Sequence, residues 1–189
     1  MQLDNIVSGT THYPRFIDGR IDYTHAKHCY GVTCIVICNN RILLTQRSKD
    51  VMAHAGKYSG ISGFIDRTDC SIIDIARIEL EEELRAPLTD IVVCDVGNPV
   101  IVDDSSTGRV WHDYPVLVEF THEFTPTINW ENTSAQWYDL DDIDYLPFVP
   151  QFNRTLRAAL ALRDYQSSPE NKNSKAIYTT QTLASSSAS

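Results

Sequence analysis

The sequence lacks a basic excess. Its 189 residues include 25 acidic and 16 basic ones, which gives a net charge of −9. This balance argues against a protein whose main task is to hold nucleic acid by its phosphates, because such binding depends on clustered Lys and Arg. A nucleotide substrate stays open, since a bound metal ion can reverse the local field.

The cysteines have no pairing pattern. The five cysteines form no CxxC motif, and the six histidines do not stand beside them at zinc-ligand spacing. Neither a disulfide framework nor a structural zinc site is therefore expected. This cysteine usage predicts a reducing compartment, the cytoplasm.

Long apolar runs are also missing. No stretch approaches the length of a membrane span, and the amino end lacks the basic start and apolar core of a signal peptide. We therefore expect no membrane partner. The hydrophobic content of 42% and aromatic content of 10% suit a globular core, and the length fits one domain with a tail.

The order of strand and helix signals predicts an α/β fold. A hairpin of two β-branched strands comes first, and a strand interrupted by Gly60 and Gly63 follows it. Further strands are expected before and after the polar loop at 103–108. The predicted strands are 28–38, 41–47, 58–65, 91–94, 98–102 and 111–120, with Pro115 expected at an edge or early position. The predicted helices run from Ser71 to just before Pro87 and over 152–165.

Composition divides the chain into three parts. Residues 1–27 are polar and mixed, which indicates a loose lead-in or a small flanking hairpin. Residues 28–165 form the predicted domain. Residues 166–189 are rich in Ser, Thr, Asn and Ala, which predicts a disordered tail without a folded role.

The first predicted helix carries a cluster of glutamates. Ser71 is a good N-cap, and Asp74 three residues later completes a capping box. Glu79, Glu82 and Glu83 lie three or four residues apart and share one face, where their like charges repel. A hard divalent cation would offset that repulsion. The simpler interpretation is a solvated acidic face.

The same helix has an apolar stripe. Its members fall at helical spacing and are expected to face a core. They are Ile73, Ala76, Leu80 and Leu84. The glutamates are expected to lie off this stripe, at the rim of a cleft.

Residues 63–86 resemble the Nudix box, whose pattern is Gly-x5-Glu-x7-Arg-Glu-hydrophobic-x-Glu-Glu-x-Gly-hydrophobic. The stretches 43–48 and 56–59 resemble the family's approach to the box, and Trp137 resembles its later strand. The resemblance covers roughly residues 28–162. It implies a Nudix-like α/β/α sandwich with a mixed β-sheet.

The match needs one extra residue in the loop between Asp66 and Cys70. Without it, Arg77 meets the motif arginine, but Ile78 stands where the first catalytic glutamate belongs. With it, Glu79, Leu80, Glu82 and Glu83 match the motif. The shift leaves three departures, which are Ile78 for the arginine, Cys70 for the loop glutamate and Arg85 for the closing glycine. In the family that arginine orients a catalytic carboxylate, so its absence implies lower activity unless Arg77 or another base substitutes for it.

The resemblance implies hydrolysis of a diphosphate linkage in a nucleoside diphosphate derivative by water attack on phosphorus. Mg²⁺, or Mn²⁺ in its place, would be held by Glu79, Glu82, Glu83 and, by analogy, the carbonyl of Gly63. The implied catalytic residues are Glu82, as the general base, and Glu79. The partner is then a small phosphorylated molecule rather than nucleic acid, and a homodimer is a further expectation.

Several residues are candidates for the substrate side. Arg47 is a candidate for phosphate or ribose, and Trp111 and Tyr114 are candidates for stacking on a base. Other candidates are His54 and Lys57 for phosphate, and Glu119 or Glu123 as a downstream carboxylate. A solvated loop or a core aromatic is the simpler interpretation of each.

Two alternatives stay open. Ile78 at the arginine position favours a non-catalytic nucleotide-sensing domain. An isopentenyl-diphosphate-isomerase-like enzyme would need a catalytic cysteine in an early loop, whereas Cys29, Cys34 and Cys38 lie in or beside the first strand.

Overall fold

A computed structural model of the chain describes residues 2–51 and 53–167. It contains three α-helices and eight strands among these residues. They are α1 (Gln2–Thr10), β1 (His28–Cys38), β2 (Arg41–Arg47), β3 (Tyr58–Ser59), β4 (Ile61–Phe64), α2 (Ile72–Leu84), β5 (Ile91–Val96), β6 (Val100–Asp104), β7 (Arg109–Phe120), β8 (Asn132–Asp139) and α3 (Phe152–Ser167). The predicted tail lies outside the described residues from position 168 onward.

The eight strands form one mixed sheet with β1 and β7 at its centre. These two strands run parallel, with a register from His28↔Val110 to Ile37↔Glu119. β2 and β4 pair antiparallel with the two halves of β1, and β3 and β8 pair with β2. β5 and β6 pair with β7. The predicted first hairpin is confirmed.

Pro115 lies in the middle of β7, an internal strand, rather than at the predicted edge or early position. On one side, β7 changes partner here, from β6 at Asp113↔Val100 to β5 at Val116↔Val96. Proline has no N–H to donate, so it is tolerated where the ladder is interrupted. Its carbonyl still accepts the N–H of Gly97 at 2.9 Å.

Helices cover both faces of the sheet, which confirms the predicted α/β/α sandwich. Because side chains alternate along a strand, β1 contributes to two cores. Val32 and Val36 pack with α2 residues, whereas Ile35 and Ile37 pack with α3 residues such as Leu156. In the described part of the chain, no helix combines the length and apolarity that crossing a membrane requires.

The lead-in is more ordered than the sequence suggested. It contains α1 and an isolated antiparallel bridge, Arg15↔Ile21. Ile6, Ile21 and Tyr23 are buried. The Tyr23 hydroxyl donates to the Ile65 carbonyl at 2.8 Å, so this segment packs against the loop that precedes α2.

α2 begins as predicted. The Asp74 N–H donates to Ser71 Oγ at 3.1 Å, and the Ser71 N–H donates to Asp74 Oδ2 at 3.0 Å, which is the predicted capping box. The apolar stripe is corrected at one position, because Ile72 and Ile75 are buried while Ile73 is half-buried. The helix therefore presents a slightly rotated face to the sheet.

Arg85 ends α2 in a left-handed conformation, with φ 52° and ψ 41°. Glycine adopts this conformation without the steric cost that a Cβ imposes. We therefore expect Arg85→Gly to raise the free energy of unfolding by about 1 kcal/mol, measured by urea denaturation. Glu81→Gly, in the same helix but with helical backbone, should lower it by about 1 kcal/mol. A loss of stability in Arg85→Gly would contradict the interpretation.

Candidate active site

A cleft of about 400 Å³ opens between the central strands, the loop before α2 and the start of α3. Acidic side chains dominate its polar lining. They are Asp66, Glu79, Glu82, Asp104, Asp113 and Glu131, and the basic residues beside them are Arg20, Arg47 and His54. The structure thus brings Gly63, Glu79, Glu82, Arg47 and Trp111 of the predicted site to one cleft.

Gly63 and Glu79 are in direct contact. A Cβ built on Gly63 would lie 2.0 Å from both Cδ and Oε1 of Glu79. A side chain there would displace the carboxylate, so glycine at this motif position keeps Glu79 where it lies. Gly63 is itself held by pairing with Val32 of β1.

The Glu79 carboxylate is forced toward its neutral form. Burial raises its pKa to about 7, and the charges of Glu82, Glu131 and Asp66 add to the shift. Glu82, in contrast, is exposed at the cleft rim. Four carboxylates therefore repel one another at the cleft, which would gain from a cation.

Glu83 has a different environment from the one predicted. Its side chain is only 4% exposed, and Asn132 Nδ2 donates to its Oε2 at 2.6 Å. Burial raises its pKa to about 8, although the Asn132 hydrogen bond and Arg47 oppose the shift. The expectation that all the glutamates lie off the buried stripe is wrong for Glu83, because α2 turns this residue toward β8.

Arg47 is the basic residue whose charge acts on Glu83 and Glu131. It is half-buried, and its Nε donates to the Ala53 carbonyl at 3.0 Å. Burial lowers its pKa, while the charges of Glu83 and Glu131 raise it. Arg77 instead interacts with Cys94. The structure therefore places Arg47, rather than Arg77, beside the acidic cluster.

The downstream carboxylate at the cleft is Glu131, which corrects the two residues suggested from the sequence. Glu119 pairs with Arg163 at 2.6 Å, and Glu123 pairs with Arg41 at 2.7 Å, both outside the cleft. The β2–β8 pairing, Arg47↔Asn132, brings Glu131 to the site. No local motif in the sequence marks this residue.

Of the two aromatic candidates, one reaches the cleft. Trp111 is half-buried and lines the cleft, with its ring centroid 5.3 Å from that of Phe64. Tyr114 is corrected from a substrate contact to a core residue, because it is 3% exposed and packs in the core beneath α2. The two residues lie on β7 but on opposite faces of the sheet.

Asp113 is a cleft residue that sequence reasoning missed. Thr33 Oγ1 donates to its Oδ1 at 2.7 Å, and Thr155 Oγ1 donates to its Oδ2 at 2.6 Å. Burial raises its pKa, against those two hydrogen bonds. Lys57, a phosphate candidate, is exposed and does not line the cleft.

A family model, that of the NUDIX domain, matches residues 27–160. The chain belongs to the Nudix family.

The similarity to Nudix relatives covers only part of each sequence. An uncharacterized Nudix hydrolase, NudL, of Pectobacterium atrosepticum is 36% identical over 86 residues, which cover 44% of this chain and 43% of the relative. NudL of Escherichia coli strain SMS-3-5 is 43% identical over 67 residues, which cover 35% and 33%. The chain thus matches less than half the length of these curated relatives.

Solved Nudix structures share the fold. A MutT Nudix hydrolase from Burkholderia pseudomallei has a TM-score of 0.55 and 20% identity, over 69% of this chain and 97% of that one. A C. elegans Ap4A hydrolase binary complex has a TM-score of 0.57 and 13% identity, over 72% and 98%. The NUDIX domain of Shewanella oneidensis NrtR, complexed with ADP-ribose, has a TM-score of 0.55 and 17% identity, over 71% and 87%.

The carboxylates that line the cleft fit a hard divalent cation. Glu79, Glu82 and Glu131 offer carboxylate oxygens, which Mg²⁺ prefers. Among the described residues, no three His, Cys, Asp or Glu side chains already converge at ligand distance. The carboxylates must therefore move toward an ion, whose attraction would offset the repulsion between them.

The buried carboxylates of the Nudix box predict how stability depends on pH. The folded-state pKa values of about 7 for Glu79 and about 8 for Glu83 lie above their ordinary value of 4.5. A raised folded pKa contributes stability below the unfolded pKa, and that stability is lost as pH rises through the folded value. The metal-free protein should therefore melt lower at pH 8 than at pH 5, by roughly 5 °C.

Thermal melts in EDTA from pH 5 to 8 would measure this. Glu83→Gln, which keeps an acceptor for Asn132, should flatten the profile, and Mg²⁺ should restore stability at pH 8. Asp113 and Asp66, whose pKa values are also raised, contribute with the same sign. Equal melting temperatures at pH 5 and 8 would contradict the assigned pKa shifts.

Proposed function

We propose that this chain is a Mg²⁺-dependent hydrolase that cleaves the diphosphate linkage of a nucleoside diphosphate derivative, with Mn²⁺ able to replace Mg²⁺. The observation that carries the proposal is the convergence of Glu79, Glu82 and Glu131 on one cleft beside Gly63. The chain matches less than half the length of its curated relatives. The proposed activity is therefore argued from this site together with the membership of the Nudix family.

The residues proposed to hold the cation are Glu79, Glu82, Glu83 and the carbonyl of Gly63, with Glu131 as an addition from the structure. When bound, such an ion neutralises charge on phosphoryl oxygens and makes water more acidic. Glu83 is held by Asn132, so it needs to give up or share that hydrogen bond in order to ligate. Glu79 and Glu82 already face the cleft.

Glu82 is proposed as the general base, with Glu79 as the second catalytic carboxylate. Glu82 is exposed, and in the described part of the chain no hydrogen bond engages its carboxylate. It can therefore accept a proton from the attacking water. The Glu79 carboxylate packs directly against Gly63. Its position is therefore more constrained, which suits a metal ligand better than a proton acceptor.

Arg47 is proposed to take over the role of the missing motif arginine. Its charge acts on Glu83 and Glu131, and its Nε is fixed by the Ala53 carbonyl. An arginine held in this way can orient a carboxylate or meet a phosphate with its remaining N–H groups. No second arginine within α2 is then needed to make up for Ile78.

The substrate is proposed to be a small nucleotide derivative. Trp111 and Phe64 give the cleft an aromatic surface on which a base can stack. A C. elegans Ap4A hydrolase and a NUDIX domain complexed with ADP-ribose share the fold. The cytoplasmic location and the homodimer stay predictions.

The test is to incubate the purified chain with Mg²⁺ and a panel of nucleoside diphosphate derivatives. The proposal expects one or more panel members to release mononucleotide or phosphate, and EDTA to abolish the release. A chain that cleaves none of them, with Mg²⁺ or Mn²⁺, contradicts it.

A nucleotide-sensing domain is the second candidate, and Ile78 at the position of the motif arginine favours it. It predicts tight binding of one panel member without turnover. The hypothesis of an isopentenyl-diphosphate-isomerase-like enzyme loses support. Cys29, Cys34 and Cys38 are buried, and in the described part of the chain none of the three lines the cleft.

A further inference from the structure

The cleft contains a histidine–aspartate pair that the proposed mechanism does not use. His54 Nε2 lies 2.9 Å from Asp104 Oδ2, and both residues line the cleft. They are 50 positions apart in the chain. Their contact is therefore made by the tertiary structure alone.

The pair joins two distant strands of the sheet. His54 lies in the loop after β2, and Asp104 ends β6, whereas β1 and β7 lie between these strands in the sheet order. Three strand spacings of about 4.8 Å separate β2 from β6. His54 therefore places its imidazole against a strand that lies three strand spacings from β2.

Asp104 is a fixed anion. It is 4% exposed, and its Oδ1 accepts from both the N–H and Oγ of Ser106, at 3.1 and 2.6 Å. Thr107 Oγ1 donates to Oδ2 at 2.9 Å. Burial raises its pKa, but the hydrogen bonds from Ser106, His54 and Thr107 outweigh that effect and bring it to about 2. An ionised carboxylate only accepts hydrogen bonds, so His54 Nε2 must carry a hydrogen.

The backbone also holds His54 in place. Its φ is 58°, a left-handed conformation that non-glycine residues seldom adopt. Its carbonyl accepts the Lys57 N–H at 3.1 Å, and the preceding Ala53 carbonyl accepts from Arg47. An uncommon conformation kept at a cleft residue is typical of a functional site.

One ring nitrogen is left for a ligand. Within residues 2–51 and 53–167, Asp104 is the only side chain hydrogen-bonded to His54, so Nδ1 is the remaining polar atom of the ring. Because Nε2 already carries a hydrogen, Nδ1 donates only in the imidazolium form of the ring, and an anionic oxygen at Nδ1 together with Asp104 at Nε2 favours that form. The diphosphate substrate supplies such oxygens in a cleft that is otherwise mainly acidic.

We propose that His54, oriented by Asp104, is a substrate-binding residue that donates a hydrogen bond from Nδ1 to a phosphate oxygen of the substrate. Asp104 is a positioning residue that acts through the imidazole. The inference rests on the proposed function in so far as the cleft must take a diphosphate compound.

The test measures binding rather than turnover. The probe is methylenediphosphonate, a non-hydrolysable diphosphate, titrated calorimetrically into the full chain with Mg²⁺. His54→Asn should weaken its binding about tenfold, the value of one charge-assisted hydrogen bond, and should leave the affinity for Mg²⁺ alone unchanged. Asparagine suits this position because it tolerates the left-handed backbone.

A matched control exists outside the cleft. His122 Nε2 lies 3.2 Å from Asp90 Oδ2 on an exposed surface, so His122→Asn removes a pair of the same chemistry and should change neither affinity. Asp104→Asn should weaken probe binding, since the ring is no longer held by a charge. His54→Lys, which restores a cationic donor, should recover part of the binding.

Equal probe binding by wild type and His54→Asn overturns the inference. The inference is also overturned if His54→Asn weakens the binding of Mg²⁺ without the probe as well, and His54→Lys does not restore binding. That result would show that the pair only stabilises the loop. Failure of the wild type to bind the probe also overturns it. If the wild type binds the probe and cleaves no panel compound, the hydrolase proposal fails while the role of His54 is still decided by the variants.

Discussion

Replacing Glu82 by Gln should lower turnover about 10³-fold and leave the fold unchanged. The substitution keeps the size of the side chain but removes both the proton acceptor and a charged ligand oxygen, and a positioned general base contributes about 10²–10⁴-fold. Glu82 is exposed, so the free energy of unfolding should change by less than about 0.5 kcal/mol. Turnover of whichever panel compound is cleaved, with Mg²⁺ in excess, is the measurement.

Glu81→Gln is the matched control. Glu81 is the preceding residue of the same helix and is also exposed, but it does not line the cleft. Its loss removes the same charge from α2 and should change turnover by less than about twofold. If Glu82→Gln were as active as Glu81→Gln, either the alignment of the box or the choice of base would be wrong.

Gly63→Ala is expected to have a comparably large effect for a steric reason. The new Cβ would lie 2.0 Å from the Glu79 carboxyl, so the carboxylate must leave its position or β4 must shift. Turnover should fall by at least about 10²-fold, since small displacements at a reacting site cost this much. Overpacking should also lower the free energy of unfolding by about 1–3 kcal/mol.

Gly60→Ala separates these two effects. A Cβ at Gly60 would lie 2.4 Å from the Cys34 carbonyl oxygen, a clash with the backbone in which no carboxylate is involved. It should therefore cost stability and spare turnover in the fraction that stays folded. In a Glu79→Ala background, Gly63→Ala should lose much of its stability cost, because the clashing group is gone. An undiminished cost there would show that Glu79 is not what Gly63 makes room for.

Local sequence features predicted α2 closely. The capping box involves Ser71 and Asp74, three residues apart, and both hydrogen bonds form within one turn. The predicted apolar stripe was off by one residue, since Ile72 rather than Ile73 is buried. Helical periodicity gives a face only to within about one residue until the neighbouring strands set its orientation.

The glutamate cluster shows the limit of such reasoning. Helical spacing places Glu79, Glu82 and Glu83 on one side, but in the fold Glu79 and Glu82 open to the cleft while Glu83 is buried against Asn132. Asn132 is 49 residues away in the chain. No pattern within α2 can reveal a partner that the β2–β8 pairing supplies.

The cleft residues outside α2 also depend on contacts between positions that are distant in the chain. Glu131, Asp113 and the His54–Asp104 pair belong to no short motif, and each reaches the cleft through strand pairing or a loop that crosses the sheet. The prediction of Tyr114 as a substrate contact was wrong for a related reason. Alternation along β7 divides its side chains between two faces, but only the packing of the helices decides which face lines the cleft.

The amino-acid sequence therefore suffices for the family, the α/β architecture, the capped helix and the glycine that precedes it, because these depend on contacts within a few residues. The burial of Glu83, the position of Arg47 beside the acidic cluster and the set of cleft residues outside α2 depend on contacts between residues tens of positions apart. Such contacts are made by the order and register of the strands, which hydrophobic burial selects over the whole sheet at once.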